Sequence, residues 1–217
     1  MSRMTIAKSE LILGGQKSGK SRRAELLARE WLAQSSTHRA VLIATAQPWD
    51  EEMRHRIARH QADRAERVPG MVTVEEPFAL AEAITRHSRA DTLVLVDCLT
   101  LWLTNMLMPI DMPVRPELVE GLSPSHTEGL RQAQSEPIVA AAPVDIAQAA
   151  SLLIAIAQAA GPVVLVGNEI GLGVIPMGRE VRAFVDALGK LNQDVAATCQ
   201  RVTLMAAGLP LTLKDAP

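Results

Sequence analysis

The residues with the most specific chemistry lie near the start of the chain, where residues 14–21 read GGQKSGKS. This segment matches G-x-x-x-x-G-K-[ST], the phosphate-binding P-loop, and it follows the apolar run LIL at residues 11–13. Glycines let the backbone wrap a phosphate chain, while loop N–H groups and the following helix N-terminus attract the anion. In this motif the lysine contacts the β- and γ-phosphates and the final hydroxyl binds Mg²⁺. The predicted nucleotide-binding residues here are Gly14, Gly15, Gln16, Lys17, Ser18, Gly19, Lys20 and Ser21.

Two further polar residues follow apolar runs that are typical of strands. Asp97 ends the run at 92–96, and in P-loop proteins a carboxylate at such a place holds the Mg²⁺ shell. A turn or capping role is the alternative, since many strands end in Asp. We therefore predict Ser21 and Asp97 as the metal ligands. Thr45 follows the run at 40–44, where α/β proteins bind ligands, although its spacing alone favours an ordinary strand-end hydroxyl.

A second feature is the basic segment at residues 50–67, which contains five arginines and two histidines. If the segment is helical, His60 borders the inward stripe, and Arg56 and Arg64 lie one turn on either side of it. Guanidinium groups lower the pKa of a nearby imidazole, and a neutral imidazole is a nucleophile. This combination suits attack on a nucleotide α-phosphate to form a phosphoramidate. A solvated basic helix with an incidental histidine is the alternative, and spacing alone favours it.

The pattern of apolar runs predicts the elements that position these residues. Four short runs without clean alternation indicate central parallel strands at 10–13, 40–44, 92–96 and 162–166. Helical stretches are expected near 21–34, 50–64, 77–88, 145–160 and 179–198. This alternation is typical of a parallel α/β sheet flanked by helices. A fifth strand at 202–206 and a turn into 211–214 predict a C-terminal edge hairpin.

Composition narrows the class of protein. A length of 217 residues suits a single domain, and 22 Lys and Arg against 24 Asp and Glu leave a net charge of −2. Two Phe, three Trp and no Tyr are too few for a base-stacking surface, so we expect no nucleic-acid partner. Cys98 and Cys199 lack metal or redox spacing and are expected to be free buried thiols. With no signal sequence and no apolar run of membrane-spanning length, a cytoplasmic protein without stable membrane insertion is expected.

Residues 109–143 differ from the rest of the chain. They contain six of its thirteen prolines and show no sustained apolar period. Long segments without secondary structure are uncommon in compact domains. We therefore expect one domain over residues 1–217, interrupted by a mobile insertion at 109–143.

Ordered blocks along most of the chain resemble one family, the bifunctional adenosylcobinamide kinase/adenosylcobinamide-phosphate guanylyltransferase of cobalamin biosynthesis. The most specific are RIARHQADR at 56–64 and VVLVGNEIGLGVIP at 163–176. Supporting blocks lie at 11–21, 42–45 with 50–53, 96–107, 187–193 and 207–214. The chain departs from the family pattern at Lys17, where the family often has Arg, at Met-Gly-Arg-Glu after Pro176, and in its insertion.

The resemblance implies a RecA-like P-loop α/β fold assembled as a homotrimer, with His60 as the guanylylated residue. It implies phosphorylation of adenosylcobinamide by ATP or GTP, with Lys20 in the catalytic site, followed by transfer of GMP from GTP. Beyond the P-loop, its nucleotide-binding positions correspond to Ala44, Thr45, Ala46, Gln61, Ala62, Asp63, Arg64, Glu75 and Asp97.

Two other functions remain as alternatives. A P-loop small-molecule kinase or ATPase would keep Lys20, Ser21 and Asp97 but would not use His60 as a nucleophile. A non-catalytic GTP-binding switch would read guanine through an Asn-Lys-x-Asp segment, which the sequence lacks. Covalent labelling by GTP distinguishes the first alternative, and turnover of adenosylcobinamide distinguishes the second.

Overall fold

The computed structural model describes residues 5–108, 146–173 and 176–216, so the predicted insertion at 109–143 lies outside the described residues. Within the described residues, strands and helices alternate along the chain. Their order is β1 (Ser9–Gly14), α1 (Lys20–Gln34), β2 (Arg39–Ala44), α2 (Glu51–Arg67), β3 (Val72–Glu75), α3 (Leu80–His87), β4 (Thr92–Asp97), α4 (Leu99–Leu107), α5 (Ile146–Gln158), β5 (Val163–Val166), α6 (Arg179–Thr198), β6 (Arg201–Ala206) and β7 (Leu209–Asp215).

The strands form one sheet in the order β3-β2-β4-β5-β1-β6-β7. Strands β1 to β6 pair in parallel, and β7 pairs antiparallel with β6. The prediction of a mostly parallel sheet flanked by helices, with a C-terminal edge hairpin, is confirmed. Strands β1 and β4 both pair in parallel with β5, which lies between them. The loop after β1 and Asp97 at the end of β4 therefore lie at the same edge of the sheet.

Both faces of the sheet are covered, which explains why the central strands do not alternate apolar and polar residues. On one face, Leu11 and Val94 join a core that includes residues of α3, α4, α5 and α6. On the other face, Ile12 and Leu95 pack with Leu27 and its neighbours on α1. The P-loop therefore connects a strand and a helix that are both held by packing.

Two elements were not predicted from the sequence. A single residue separates helix α4 from β4, and the α4 side chains Leu99, Trp102 and Leu103 are fully buried. A short helix that is apolar on most sides does not show the amphipathic period that identifies helices. Strand β3 was missed for the opposite reason, because it is a four-residue edge strand that is largely exposed, as at Val72.

A buried carboxylate ties the first strand to its neighbours. Glu10 on β1 accepts hydrogen bonds from Arg23 of α1 at 3.1 Å and from the Thr203 hydroxyl of β6 at 2.7 Å. A paired buried carboxylate is tolerated where an unpaired one would be costly. Cys98 and Cys199 are both buried and free of disulfides, as predicted. Among the described residues, no helix is long and apolar enough to span a membrane.

Candidate active site

The P-loop folds back on itself between β1 and α1. The Ser18 N–H donates to the Gly15 carbonyl at 3.3 Å, and the Lys20 Nζ donates to the same carbonyl at 2.6 Å. Positive φ angles occur at Gly14 (150°), Lys17 (58°) and Gly19 (101°). The glycines adopt this geometry without the penalty that a side chain would add. The result is a tight loop with a lysine over it, as phosphate binding requires.

The hairpin formed by β6 and β7 contacts the P-loop. The Gly208 N–H donates to the Ser18 carbonyl at 3.0 Å. A Cβ atom added at Gly14 would lie 2.5 Å from the Met205 carbonyl oxygen, so only glycine fits there. The Ser18 hydroxyl is buried and has no hydrogen-bond partner among the described residues. A bound phosphate oxygen would give this hydroxyl the partner that buried polar groups normally have.

Asp97 lies at the same edge of the sheet and faces a cation from α2. One terminal nitrogen of Arg64 lies 3.9 Å from the Asp97 carboxylate. Arg64 is more than nine-tenths buried, and its Nε has no hydrogen-bond partner among the described residues. A buried guanidinium with an unused donor is suited to bind an additional anion such as a phosphate group.

The hydroxyl and carbonyl groups of Thr45 form hydrogen bonds to other residues of the fold. Its hydroxyl donates to the Cys98 carbonyl at 2.7 Å and accepts from the Cys98 N–H at 2.9 Å. Its carbonyl accepts from the Asn105 side chain at 2.8 Å. Thr45 therefore joins the end of β2 to the residue after Asp97. This agrees with the strand-end alternative for the hydroxyl, while contact of Ala44, Thr45 and Ala46 with a nucleotide stays a prediction.

Helix α2 begins after Asp50, whose carboxylate accepts from the Met53 N–H at 2.6 Å. His60 is half-buried and lies one turn before Arg64 on the same side of the helix. The contact from Arg64 to Asp97 places the turn of α2 that follows His60 at the carboxyl end of β4. The Arg56 side chain, the other predicted neighbour of His60, lies outside the described residues.

Three side chains fasten the second half of α2. Besides Arg64, Gln61 donates to Glu75 on β3 at 3.4 Å, and Arg67 binds Glu25 on α1 at 3.0 Å. The hydrogen bond and charge of Glu25 raise the pKa of Arg67 above its ordinary value. Arg67 also contacts Asp63 one turn earlier. Of the other predicted nucleotide contacts on α2, Ala62 is exposed and Asp63 is half-buried.

Several supporting residues were not predicted. Thr100 on α4 accepts from the Asn168 N–H at 2.8 Å, and Asn192 on α6 donates to the Asn168 carbonyl at 3.0 Å. These bonds fix the segment that follows β5. The signal that could have found them is the presence of polar residues, such as Thr100 and Asn105, within an otherwise apolar helix. Glu76 accepts hydrogen bonds from two N–H groups just before α3.

The donor set fits a magnesium ion that is shared with a nucleotide. Among the described residues, no group of three or more His, Cys, Asp or Glu side chains could hold a metal by itself. Ser21 and Asp97 offer a hydroxyl and a carboxylate, which are the hard oxygen ligands that Mg²⁺ prefers. Mg²⁺ commonly takes its remaining ligands from phosphates and water, so two protein ligands are sufficient.

Comparison with known proteins supplies the family. The sequence profile of the family "Cobinamide kinase / cobinamide phosphate guanyltransferase" matches residues 10–213. The bifunctional adenosylcobalamin biosynthesis protein CobP of Pseudomonas aeruginosa is 42% identical over 208 residues, covering 96% of this chain and 98% of that protein. The CobU proteins of the same description are 34% identical in Escherichia coli and 32% in Salmonella typhimurium, each covering 94% of this chain and 98% of the relative.

Among solved structures, the flagellar accessory protein FlaH from Methanocaldococcus jannaschii aligns with a TM-score of 0.48 and 9% identity, covering 98% of this chain and 80% of that chain. The fold is established instead by the strand order and the P-loop described above. A profile match over almost the whole length, together with relatives at 32–42% identity, shows that the chain belongs to the cobinamide kinase/cobinamide phosphate guanyltransferase family.

Proposed function

We propose that the protein catalyses two consecutive reactions in cobalamin biosynthesis. It first transfers the γ-phosphate of ATP or GTP to the hydroxyl of adenosylcobinamide. It then transfers GMP from GTP, through a covalent intermediate on His60, to give adenosylcobinamide-GDP and pyrophosphate. The observation that carries the proposal is the Arg64–Asp97 contact, because Arg64 lies one turn after His60 and Asp97 ends the strand whose carboxyl end shares an edge with the P-loop.

The P-loop binds the triphosphate in both reactions. Lys20 moves from the Gly15 carbonyl to the β- and γ-phosphates, and the loop N–H groups of residues 14–21 surround the same oxygens. When bound at Ser21 and Asp97, Mg²⁺ supplies charge neutralisation on the phosphate oxygens. These groups stabilise negative charge in a preorganised site, which is the main contribution a protein makes to phosphoryl transfer.

In the kinase reaction, the substrate hydroxyl oxygen bonds to the γ-phosphorus. The bond from the γ-phosphorus to the bridging oxygen breaks, the nucleoside diphosphate leaves, and the hydroxyl proton is released. The role of Lys20 is to hold the transferred group in line with the attacking oxygen.

In the transfer reaction, a His60 ring nitrogen bonds to the α-phosphorus of GTP, and pyrophosphate leaves. A phosphate oxygen of the phosphorylated corrinoid then attacks the same phosphorus, the phosphorus–nitrogen bond breaks, and His60 is restored. Two displacements replace one difficult step. Arg64 holds the α-phosphate oxygens, a role supported by its buried position and unused Nε.

The remaining nucleotide contacts are proposed around this centre. Ala44 ends β2, and Thr45 and Ala46 follow it, while Gln61, Ala62, Asp63 and Glu75 lie along α2 and at the end of β3. The hydrogen bond between Gln61 and Glu75 supports the proposal that the contacts on α2 and on β3 lie close together. A homotrimer is proposed from the family resemblance, and a cytoplasmic location and a single domain over residues 1–217 are proposed from the length and composition of the chain.

Labelling with GTP that carries ³²P at the α-position tests the proposal. We expect acid-labile label on the wild-type protein and none on His60→Ala. His55→Ala is the matched control, because His55 lies on the same helix but is exposed and paired only locally with Glu51. Label that persists in His60→Ala, or an unlabelled wild-type protein, would contradict the transfer reaction. Phosphorylation of adenosylcobinamide without any label would favour the simple kinase.

A further inference from the structure

The segment after β5 exposes an unusual number of large apolar side chains. Ile170, Leu172 and Met177 are 40%, 80% and 95% exposed, and Val181 in the first turn of α6 is 49% exposed. Single exposed apolar residues are normal, but a group of them within twelve residues indicates a binding surface. We call the group of exposed side chains Ile170, Leu172, Met177 and Val181 the apolar loop.

The apolar loop adjoins the phosphate site. It follows β5, which lies between the strand that leads into the P-loop and the strand that ends at Asp97. The Glu169 N–H donates to the Gly14 carbonyl at 3.1 Å, which fastens the start of the segment directly to the P-loop. At its far end, Arg182 donates to the carbonyls of Pro176 at 3.1 Å and Met177 at 2.5 Å.

The chemistry of the acceptor substrate matches this position. A corrinoid has a large ring with apolar faces, edged by amide groups, and a flexible arm that carries the reacting hydroxyl. Its ring needs an apolar surface, while its hydroxyl must reach the phosphates held by residues 14–21. An exposed apolar surface fastened to the P-loop satisfies both requirements.

We propose that the apolar loop is the docking surface for the corrin ring of cobinamide. The ring lies against Leu172 and Met177, and the arm extends past Glu169 toward the P-loop. This inference rests on the proposed function and adds to it the protein surface that recognises the acceptor. Burying these side chains against the ring supplies affinity for cobinamide but none for the nucleotide.

The test uses the full-length double variant Leu172→Ser/Met177→Ser and dicyanocobinamide as the probe. Equilibrium dialysis, read by the visible absorbance of the corrinoid, measures its Kd in the presence of a non-hydrolysable GTP analogue. We expect the Kd to rise at least about tenfold, since two well-exposed apolar side chains are lost. Labelling of His60 by GTP alone should stay within about twofold of wild type, because the nucleotide site is unchanged.

The matched control is Ile154→Ser/Leu213→Ser, which removes two apolar side chains that are 54% and 56% exposed on α5 and β7. It should bind cobinamide like the wild type. If the wild type neither binds nor phosphorylates cobinamide, the proposed function fails and the inference fails with it. If the wild type binds but both double variants match it, only the docking surface is wrong.

Two other results would also overturn the docking surface. An equal loss of binding in the control would show a general effect of apolar surface. A lower sedimentation mass of Leu172→Ser/Met177→Ser, with cobinamide binding retained, would show that a second copy of the chain covers the apolar loop.

Discussion

The P-loop and helix α2, the two parts of the proposed site, are held in different ways. The P-loop is enclosed by backbone, with the Gly208 N–H on Ser18 and the Met205 carbonyl against Gly14. Helix α2 is held by side chains, through the contacts of Arg64 and Arg67 with carboxylates on neighbouring elements. Backbone enclosure suits a site that must be preorganised for phosphate. Side-chain contacts suit a helix that carries the proposed nucleophile, which must meet one substrate and then another.

The sharpest way to break the enclosed region is Gly14→Ala. Its Cβ would lie 2.5 Å from a backbone oxygen at a φ of +150°, so either the loop or the β6–β7 hairpin must shift. We expect a loss of about 2–4 kcal/mol in the free energy of unfolding, from overpacking and backbone strain together. Urea denaturation measures it. Gly15→Ala is the control, because no atom lies within 4 Å of its Cβ position, and it should stay within about 0.5 kcal/mol. Equal losses in the two variants would contradict the enclosure.

The side-chain attachment of α2 is tested by Arg64→Met. This variant removes the charge that faces Asp97 and the proposed partner of the α-phosphate. We expect labelling of His60 by GTP to slow about 10- to 100-fold, the value of a charge-assisted hydrogen bond of about 1.5–3 kcal/mol. Arg54→Met is the control, since Arg54 is exposed and contacts Glu51 on the same helix. Unchanged labelling kinetics in Arg64→Met would show that α2 is positioned without this contact.

The free energy of unfolding should fall at alkaline pH because two thiols are buried in the core. Burial, followed by the charge of Asp97, raises the pKa of Cys98 to about 11, and burial raises the pKa of Cys199 to about 12. An unfolded thiol ionises near its ordinary value of 9.0, so above that pH unfolding releases a proton from each thiol. Stability is therefore fully present below pH 9 and falls toward pH 11, by about 1.4 kcal/mol per pH unit for each thiol.

Urea denaturation between pH 8.5 and 10.5 measures this slope. The double variant Cys98→Ala/Cys199→Ala should show a smaller slope, even though its stability at pH 8 is lower. The chain contains no Tyr, so tyrosine ionisation does not contribute in this range. Equal slopes in the two proteins would show that the thiols ionise alike in the folded and unfolded chains.

The sequence predicted the central strands well because their apolar residues form continuous runs between turns. It also predicted the edge hairpin, whose turn contains Gly208 with a φ of 81°. It did not predict α4 or β3, because one is too thoroughly buried and the other too exposed to show a period. The polar contacts of Thr100 and Asn192 with Asn168 join residues far apart in the chain, so no local pattern could indicate them.

The sequence by itself determined the phosphate loop. Its glycines, Lys20 and Ser21 lie within eight residues, and the sequence also predicts the strand before them and the helix after them. Where the helix that carries His60 lies in the fold was decided only by tertiary structure. A helical histidine between arginines fits either a solvated surface or a nucleophile, and its spacing favoured the surface. The nucleophile is favoured by the contact of Arg64 with Asp97, thirty-three residues later in the chain, which forms only when the parallel strands bring their carboxyl ends to one edge.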